Sequence, residues 1–149
     1  MSNAKDESLL SIYRSFLNIY VLLDDGDRRT LQAENLTPSQ FNLLTHLEHE
    51  TIGLTLTDLA KRLLCTRGNV TRMVQRLDKL KLIHIKQDNA DQRRLRITLT
   101  TTGKESLQSA FASHTTSLQQ RFATLSSTQQ AQLIELLQQV TANLETDLS

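Results

Sequence analysis

The sequence of 149 residues is poor in several residue types that particular kinds of protein need. It contains one cysteine, one proline, four glycines and no tryptophan. The single cysteine, Cys65, cannot form an internal disulfide, which is typical of a reducing compartment. No apolar run approaches the roughly 20 residues of a membrane-spanning helix, and no charged-then-apolar leader opens the chain. The few glycines and prolines disfavour a many-turned β fold. We therefore expect a small, mainly helical, cytoplasmic protein.

The charges are strongly segregated along the chain. Residues 61–96 contain eleven basic and three acidic residues, a net charge of +8, whereas the rest contains six basic and thirteen acidic residues, a net charge of −7. The near-neutral total of +1 hides this contrast. One positive segment in an otherwise negative molecule is typical of a surface that binds a polyanion. Nucleic acid is therefore the first candidate partner.

The first third of the chain has helical periodicity. Apolar residues recur in steps of four, three, four and three, at Leu9, Tyr13, Phe16, Tyr20 and Leu23. This spacing predicts a helix over about residues 8–31. The acidic stretch 24–27 either bends this helix or frays its end, and the pattern does not distinguish the two.

Three helix starts follow in quick succession. Thr37–Gln40 has threonine for the N-cap, proline for the first helical position and glutamine to close a capping box. Further starts at Thr57 and Thr66 predict two short helices about two residues apart. This is a helix-turn-helix arrangement, with a turn at Cys65–Thr66 that has no glycine.

The period then changes from helix to strand and back. Residues 82–86 and 94–99 have the pattern of two short strands around a polar turn, which predicts a β-hairpin, or wing. After residue 100 two more helices are predicted, with apolar stripes at Leu107, Phe111, Leu118, Phe122, Leu133, Leu137, Val140, Leu144 and Leu148.

The stripes at the two ends of the chain exceed what the central unit can cover. A winged unit of some 60 to 70 residues cannot bury them all, so two chains would bury them together in a two-fold dimer. The alternative is a monomeric bundle in which the ends fold back on each other.

The second helix of the motif, predicted over about residues 67–80, has the composition of a DNA-reading helix. Val70, Val74 and Leu77 define its buried face. The opposite face then presents arginine, asparagine, glutamine and threonine, which are the residue types that pair with guanine, adenine and thymine edges. The candidate DNA-binding residues on this helix are Arg67, Asn69, Thr71, Arg72, Gln75 and Arg76.

At these residues the chain resembles the MarR family of winged-helix transcriptional regulators. The resemblance covers nearly the whole chain and is carried by an ordered series of motifs. These are Leu36-Thr37 with Gln40, Asp58-Leu59-Ala60 with Leu63, Val70-Thr71 with Val74 and Leu77, Asp91-Gln92-Arg93-Arg94, and Leu99-Thr100-Thr101-Thr102-Gly103.

The resemblance implies a fold and a layout. The fold class is mainly α with a small β-hairpin wing. A single domain over residues 1–149 would contain a winged helix-turn-helix unit at about 36–100 and dimerisation helices at about 6–33 and 101–148. At the wing tip, Arg93 would enter the minor groove beside Arg94, and Asp91 would hold the wing by pairing with a nearby basic residue. Two positions depart from the family pattern: Lys81 replaces a glycine, and Ile85 replaces a wing arginine.

The resemblance also implies a function. The protein would be a homodimeric regulator, a repressor in most cases, that binds double-stranded DNA at a pseudo-palindromic operator. A small-molecule or other effector would release it, and a pocket for a small-molecule effector is predicted from Tyr13, Phe16, Tyr20, Phe41 and His46, whose alternative role is core packing. No cofactor, metal or membrane is implied.

Two other functions stay open as alternatives. The first is an architectural protein that coats duplex DNA without reading its sequence, which the polar variety of the recognition face disfavours. The second is an enzyme, which the sequence disfavours because it lacks a nucleophile–base order, a phosphate loop and a carboxylate pair. Cys65 lies before the recognition helix and could be oxidisable, although a buried turn residue is the simpler interpretation.

Overall fold

The computed structural model describes residues 4–147. Leu148, which the sequence analysis placed on the last apolar stripe, lies outside the described residues. These described residues contain six helices, a 3-10 turn at Gln32–Glu34 and one hairpin, in the order α1 (Ala4–Leu31), α2 (Pro38–Leu47), α3 (Leu56–Arg62), α4 (Arg67–Lys79), β1 (Ile83–Gln87), β2 (Leu95–Leu99), α5 (Thr101–Arg121) and α6 (Ser127–Asp147). The chain forms two compact units, one that ends at His114 and one that begins at Thr115. The predicted fold class, helices with a small hairpin wing, is confirmed.

Two of the three predicted helix starts are confirmed. The Thr37 hydroxyl accepts a hydrogen bond from the Gln40 backbone N–H, and the Gln40 side chain accepts one from the Thr37 N–H, which closes the capping box. The Thr66 hydroxyl accepts from the Asn69 N–H at the start of α4. A capped start leaves fewer unpaired N–H groups in the first turn and so fixes where each helix begins.

The predicted start of α3 at Thr57 is wrong by two residues. Thr55 is the N-cap, and its N–H donates to the Asp58 carboxylate at 3.0 Å. The Asp58 N–H donates back to the Thr55 hydroxyl at 3.1 Å, so Asp58 closes a capping box with the threonine three residues before it. Thr57 lies inside the first turn of the helix.

Three helices end in a left-handed residue that is not glycine. Asn35, Leu64 and Lys81 have φ values of 54°, 50° and 58°. At Leu64 and Lys81 the ends are Schellman motifs, because the Cys65 N–H donates to the Ala60 carbonyl and the Leu82 N–H to the Leu77 carbonyl. The conformation costs a residue with a side chain about 1–2 kcal/mol relative to glycine. Lys81 therefore adopts the same left-handed conformation at the helix end that glycine usually adopts.

The turn of the helix-turn-helix motif is longer than predicted. Four residues, 63–66, separate α3 from α4, because the left-handed Leu64 reverses the chain before Cys65 and Thr66. The apolar periodicity could not predict the left-handed conformation of Leu64, because a leucine there fits the pattern as one more apolar position of α3. Its side chain is 79% exposed.

The wing is an antiparallel pair of β-strands, and one isolated β-bridge extends it. Ile83 pairs with Leu99, Ile85 with Ile97 and Gln87 with Leu95, close to the predicted strands. Leu54 bridges to Ile97 from the other side. Ile83, Ile97 and Leu99 are buried with side chains of α2, α3 and α4, so the hairpin is anchored in the core of the first unit.

Helix α1 continues through the acidic stretch without a break. Asp24 accepts from Arg28 at 2.7 Å, and Asp25 pairs with Arg29, both four residues apart along the helix. The helix therefore does not fray at residues 24–27 but runs on to Leu31. Its apolar stripe is exposed at Leu9, Leu10, Ile12, Tyr13, Phe16, Leu17, Ile19, Tyr20, Val21 and Leu22.

The second unit contains the end of α5 and the whole of α6. These segments line an apolar groove of about 510 Å³ that includes Leu118, Phe122, Leu133 and Leu137. On α6 the exposed apolar residues are Leu133, Ile134, Leu136, Leu137, Val140 and Leu144. Within residues 4–147 we find no helix that is long and apolar enough to span a membrane.

Candidate nucleic-acid interface

The exposed side of α4 carries most of the predicted DNA-binding residues. Val70, Val74 and Leu77 are buried, as predicted. This leaves five of the six candidates exposed on the remaining surface, namely Arg67, Asn69, Arg72, Gln75 and Arg76. Thr71 differs, because it is half-buried and its hydroxyl donates to the Arg67 carbonyl at 2.9 Å. The Thr71 hydroxyl oxygen can therefore still accept a hydrogen bond, but its proton is already used.

Two residues of this surface contact each other. The Arg72 guanidinium donates from Nη2 to the side-chain oxygen of Asn69 at 3.0 Å. The two residues are three apart along the helix, which places their side chains on adjacent turns of the same side. Both residues were predicted from the sequence as DNA-binding candidates, but the sequence contains no signal for the hydrogen bond between them.

A basic cleft lies between the start of α4 and the wing. This wing cleft, of about 750 Å³, is lined by residues that include Lys61, Arg67, Arg93, Arg94 and Arg96. Two carboxylates, those of Asp58 and Asp91, also line it. Five basic against two acidic side chains give the cleft a positive potential that suits a phosphate backbone.

A second polar cleft lies on the other side of α4. This α2 cleft, of about 440 Å³, is bounded by the start of α2 and by α4, and its basic residues are Arg28, Arg72 and Arg76. Arg28 comes from the last turn of α1 and was not among the sequence candidates. Its hydrogen bond to Asp24 raises the pKa of its guanidinium, which keeps it charged. Only the packing of α1 beside α2 reveals this residue, since no local motif marks it.

The wing is braced by a partly buried ion pair that was not among the predicted features. The Arg96 Nε donates to the Asp88 carboxylate at 2.5 Å, and its Nη1 donates to the Gly53 carbonyl at 3.1 Å. The other Asp88 carboxylate oxygen accepts from the Ala90 and Asp91 backbone N–H groups. These bonds tie the turn, the second strand and the loop before α3 together. The pair is eight residues apart and meets only because the strands pair in this register.

The three predicted wing-tip residues lie together but differ in their contacts. Asp91 forms an exposed ion pair with Arg94 at 3.4 Å, and its carboxylate also accepts from the Arg93 N–H at 3.0 Å. The Arg93 side chain has no partner among residues 4–147 and is exposed. Arg93 is therefore the wing-tip arginine whose side chain is not paired with another described residue. Ile85 packs against the core, and Arg96 on the second strand braces the wing.

In one chain taken alone, the five residues predicted for an effector pocket do not lie together. Tyr13, Phe16 and Tyr20 are exposed on α1. Phe41 is buried, and its ring packs 4.9 Å from that of His114 and 6.4 Å from that of Phe111, measured between centroids. Burial lowers the pKa of His46, and the positive charge of Arg62 lowers it further. The pocket stays a prediction.

Acid should loosen the wing. The bonds from Ala90 and Arg96 hold the pKa of Asp88 below its ordinary value of 3.8. A carboxyl whose pKa is lower in the folded chain stabilises the fold above 3.8, and this contribution is lost as the pH falls through the folded value. We expect Asp88→Asn to lower stability above about pH 5 and to flatten the acid loss. Urea unfolding over a pH series measures both.

Asp91→Asn is the matched control, because its carboxyl lies three residues away in the same turn. The hydrogen bonds from Thr55 also lower the pKa of Asp58, so part of the acid dependence will remain in the Asp88 variant. Parallel pH profiles for the wild type and Asp88→Asn would show that Asp88 has no part in the acid response.

The fold and the surface together define a class of protein. A helix-turn-helix with a polar, exposed second helix is followed by a hairpin wing, and a basic cleft lies on each side of that helix. This is the arrangement of a winged helix-turn-helix DNA-binding protein.

Comparison with known proteins supports a MarR family winged-helix regulator. Residues 34–94 match the family model described as the MarR family. The chain is 28% identical over 131 residues to the HTH-type transcriptional regulator YkoM of Bacillus subtilis (strain 168), with 88% of this chain and 84% of that protein covered. It is 29% identical over 107 residues to the transcriptional activatory protein BadR of Rhodopseudomonas palustris, with 68% and 61% covered.

A solved structure agrees with this assignment. Sco3205, a MarR family transcriptional regulator from Streptomyces coelicolor in complex with DNA, matches with a TM-score of 0.86 at 27% identity, over 97% of this chain and 94% of that chain. The central part of the chain therefore matches the MarR family, and nearly the whole chain is similar to DNA-binding transcriptional regulators of that family, which is a family of regulators and not of enzymes. The resemblance inferred from the sequence motifs is confirmed.

Proposed function

We propose that the protein is a homodimeric repressor that acts in the cytoplasm, binds a pseudo-palindromic DNA operator and is released by an effector. The observation that carries this proposal is the exposed polar side of α4 between two basic clefts. A helix seated in the major groove has a phosphate backbone on each side, so a cleft on each side is what such docking needs.

Each part of the surface has its own role in this proposal. Arg72 and Asn69 face the base edges, with Gln75 and Arg76 along the same helix. Arg67 in the wing cleft and Arg28 in the α2 cleft neutralise phosphates. The uncommitted Arg93 enters the minor groove, where an A·T-rich stretch concentrates negative potential.

A second copy of the chain is proposed to cover the apolar stripes. The ten exposed apolar side chains of α1 and the six of α6 form long stripes that water would otherwise solvate. Monomeric proteins rarely expose apolar patches of this extent. A two-fold dimer buries the same stripes on both copies and also supplies two recognition helices for a symmetric site. The half-sites then lie about 34 Å apart.

The sign and the control of regulation are the remaining parts of the proposal. A change in the spacing of the two recognition helices would release the operator, and an effector held near Tyr13, Phe16, Tyr20, Phe41 and His46 would be placed to cause it. Repression is proposed because a protein bound over an operator excludes other proteins from it. The relative BadR is named as an activatory protein, so the sign is to be read from a reporter gene under the selected operator.

Selection of duplexes from a random library at near-physiological salt tests the proposal. We expect enrichment of an inverted repeat with half-sites one helical turn apart. Binding without enrichment would instead support the architectural alternative, in which salt-dependent phosphate contacts supply all of the affinity. No binding at any salt concentration would contradict both functions.

Arg93→Ala should weaken operator binding without affecting assembly. The side chain has no partner among residues 4–147, so its removal leaves the wing intact. We expect a loss of about 1–3 kcal/mol in binding, the usual effect of losing a groove arginine. Fluorescence anisotropy with A·T-flanked operators measures it. Lys104→Ala, an exposed cation on α5, is the control, and equal binding by Arg93→Ala and the control would remove the wing from the proposed interface.

A further inference from the structure

We propose that Asn69 is a positioning residue for Arg72 and that the pair selects guanine at one position of each half-site. The inference rests on the proposed function, since it concerns which base that same surface prefers. It assigns to Asn69 a role that differs from the one its residue type suggests, which is to read adenine with its own amide.

The direction of the hydrogen bond follows from chemistry. A guanidinium has five N–H donors and no acceptor, so the amide atom that faces Arg72 at 3.0 Å must be the oxygen of Asn69. The orientation of the amide is thereby fixed, and its NH₂ group points away from the arginine. Both side chains are exposed, so this bond, and not core packing, holds the guanidinium.

The backbone beneath the pair is fixed as well. Asn69 is the residue whose N–H donates to the Thr66 hydroxyl at the start of α4. Its position is therefore set by the helix cap, and Arg72 lies three residues further along the same exposed side. An arginine held in this way loses less side-chain freedom on binding than one that moves freely in water.

The held arginine matches one base edge best. One N–H of Nη2 of Arg72 is engaged by Asn69, whereas Nε and Nη1 have no partner among the described residues, so the second Nη2 N–H and a neighbouring free N–H still form a two-donor edge. Guanine presents two acceptors, N7 and O6, to the major groove, and arginine pairs with both. The Asn69 NH₂ group adds a further donor, so the pair presents donors to the groove. Adenine and cytosine each present an amino group in the major groove. That donor would face the donors of Arg72 and Asn69, which is unfavourable.

Base preference in four variants tests the proposal. We expect Arg72→Ala to reduce the preference for guanine at one position by roughly tenfold or more. Asn69→Ala should broaden the preference at that same position, by a smaller factor, because the guanidinium is present but no longer held. The double variant should equal Arg72→Ala alone, since Asn69 acts through Arg72. Asn69→Asp keeps the acceptor and should retain the guanine preference, while Asn143→Ala on α6 is the control.

Two results would overturn the inference. One is relaxation at a different base position in Asn69→Ala, with effects that add to those of Arg72→Ala, because Asn69 would then read its own base. The other is a wild-type operator that has no guanine at the position affected by Arg72→Ala. Either result leaves sequence-specific binding, and so the proposed function, standing.

A measurement on the free protein separates the geometry from the function. In solution NMR of the full-length chain, the Arg72 Nη protons should exchange more slowly with water in the wild type than in Asn69→Ala. Equal exchange would contradict the hydrogen bond even if the protein binds DNA. Slowed exchange in a protein that binds no duplex would contradict the proposed function and the guanine preference, but not the pairing of the two side chains.

Discussion

Replacement of Gly103 by alanine is expected to destabilise the first unit by at least about 3 kcal/mol. Gly103 is buried in the first turn of α5. A Cβ built on it overlaps the carbonyl oxygen of Leu82 and lies 2.9 Å from the carbonyl carbon. Both atoms belong to the backbone, which cannot turn aside as a flexible side chain does. The alanine would therefore push α5 away from the start of the wing.

The contacts around this glycine explain why the strain cannot be relieved locally. The Gly103 N–H donates to the Thr100 hydroxyl at 2.8 Å, and that hydroxyl donates to the Lys81 carbonyl at 2.8 Å. The Thr100 N–H donates to the Leu82 carbonyl at 3.0 Å. The end of α4, the start of β1 and the start of α5 are thus joined in one network, so a shift of α5 breaks several hydrogen bonds together.

Urea unfolding measures the effect of Gly103→Ala. The control is Thr102→Ala, which changes an exposed residue beside it in the same turn and should have little effect. Alanine favours helix more than glycine does by about 1 kcal/mol, so without the steric overlap the variant would be more stable than the wild type. A midpoint equal to or above that of the wild type would contradict the close approach.

The helix starts that were predicted correctly are those with a capping signal in the local sequence. The capping box at Thr37–Gln40 and the N-cap Thr66 need only residues three apart, and the structure has both. Where two threonines compete for one cap, the local signal is ambiguous: Thr55 and Thr57 both lie at the start of α3, and the partner Asp58 decides between them. Leu64 has no signal at all, because the φ value of a leucine is set by the chain reversal and not by its residue type.

The candidate interface was predicted only as far as one helix and the wing tip. The exposed side of α4 follows from its 3.6-residue period. The pairing of Arg96 with Asp88 depends on strand register, and the presence of Arg28 in the α2 cleft depends on where α1 packs. The bond between Arg72 and Asn69 depends on side-chain conformation. The first two features are tertiary and the third is one of several side-chain conformations open to a helix, so a single sequence gives their residue types but not their contacts.

The exposed stripe of α1 provides the second large expected effect. Tyr20 is 71% exposed in the chain and lies in the C-terminal half of the stripe, which runs from Leu9 to Leu22. A glutamate there is solvated in a single chain, so Tyr20→Glu should leave the fold of each chain intact. In the proposed dimer the same carboxylate would be buried against apolar side chains, which costs several kcal/mol without a partner charge. We therefore expect the variant to be monomeric.

Loss of the dimer should weaken operator binding far more than loss of any single contact. Two linked recognition helices gain affinity because the second half-site is bound at high effective concentration, and a monomer loses this gain of about a hundredfold or more. Analytical ultracentrifugation and operator titration measure the two effects on Tyr20→Glu. Asn18→Glu adds the same charge two residues earlier, on the polar side of α1, and should remain dimeric. A wild type that sediments as a monomer would support the folded-back bundle, whereas a dimeric Tyr20→Glu would place the contact between copies on another surface.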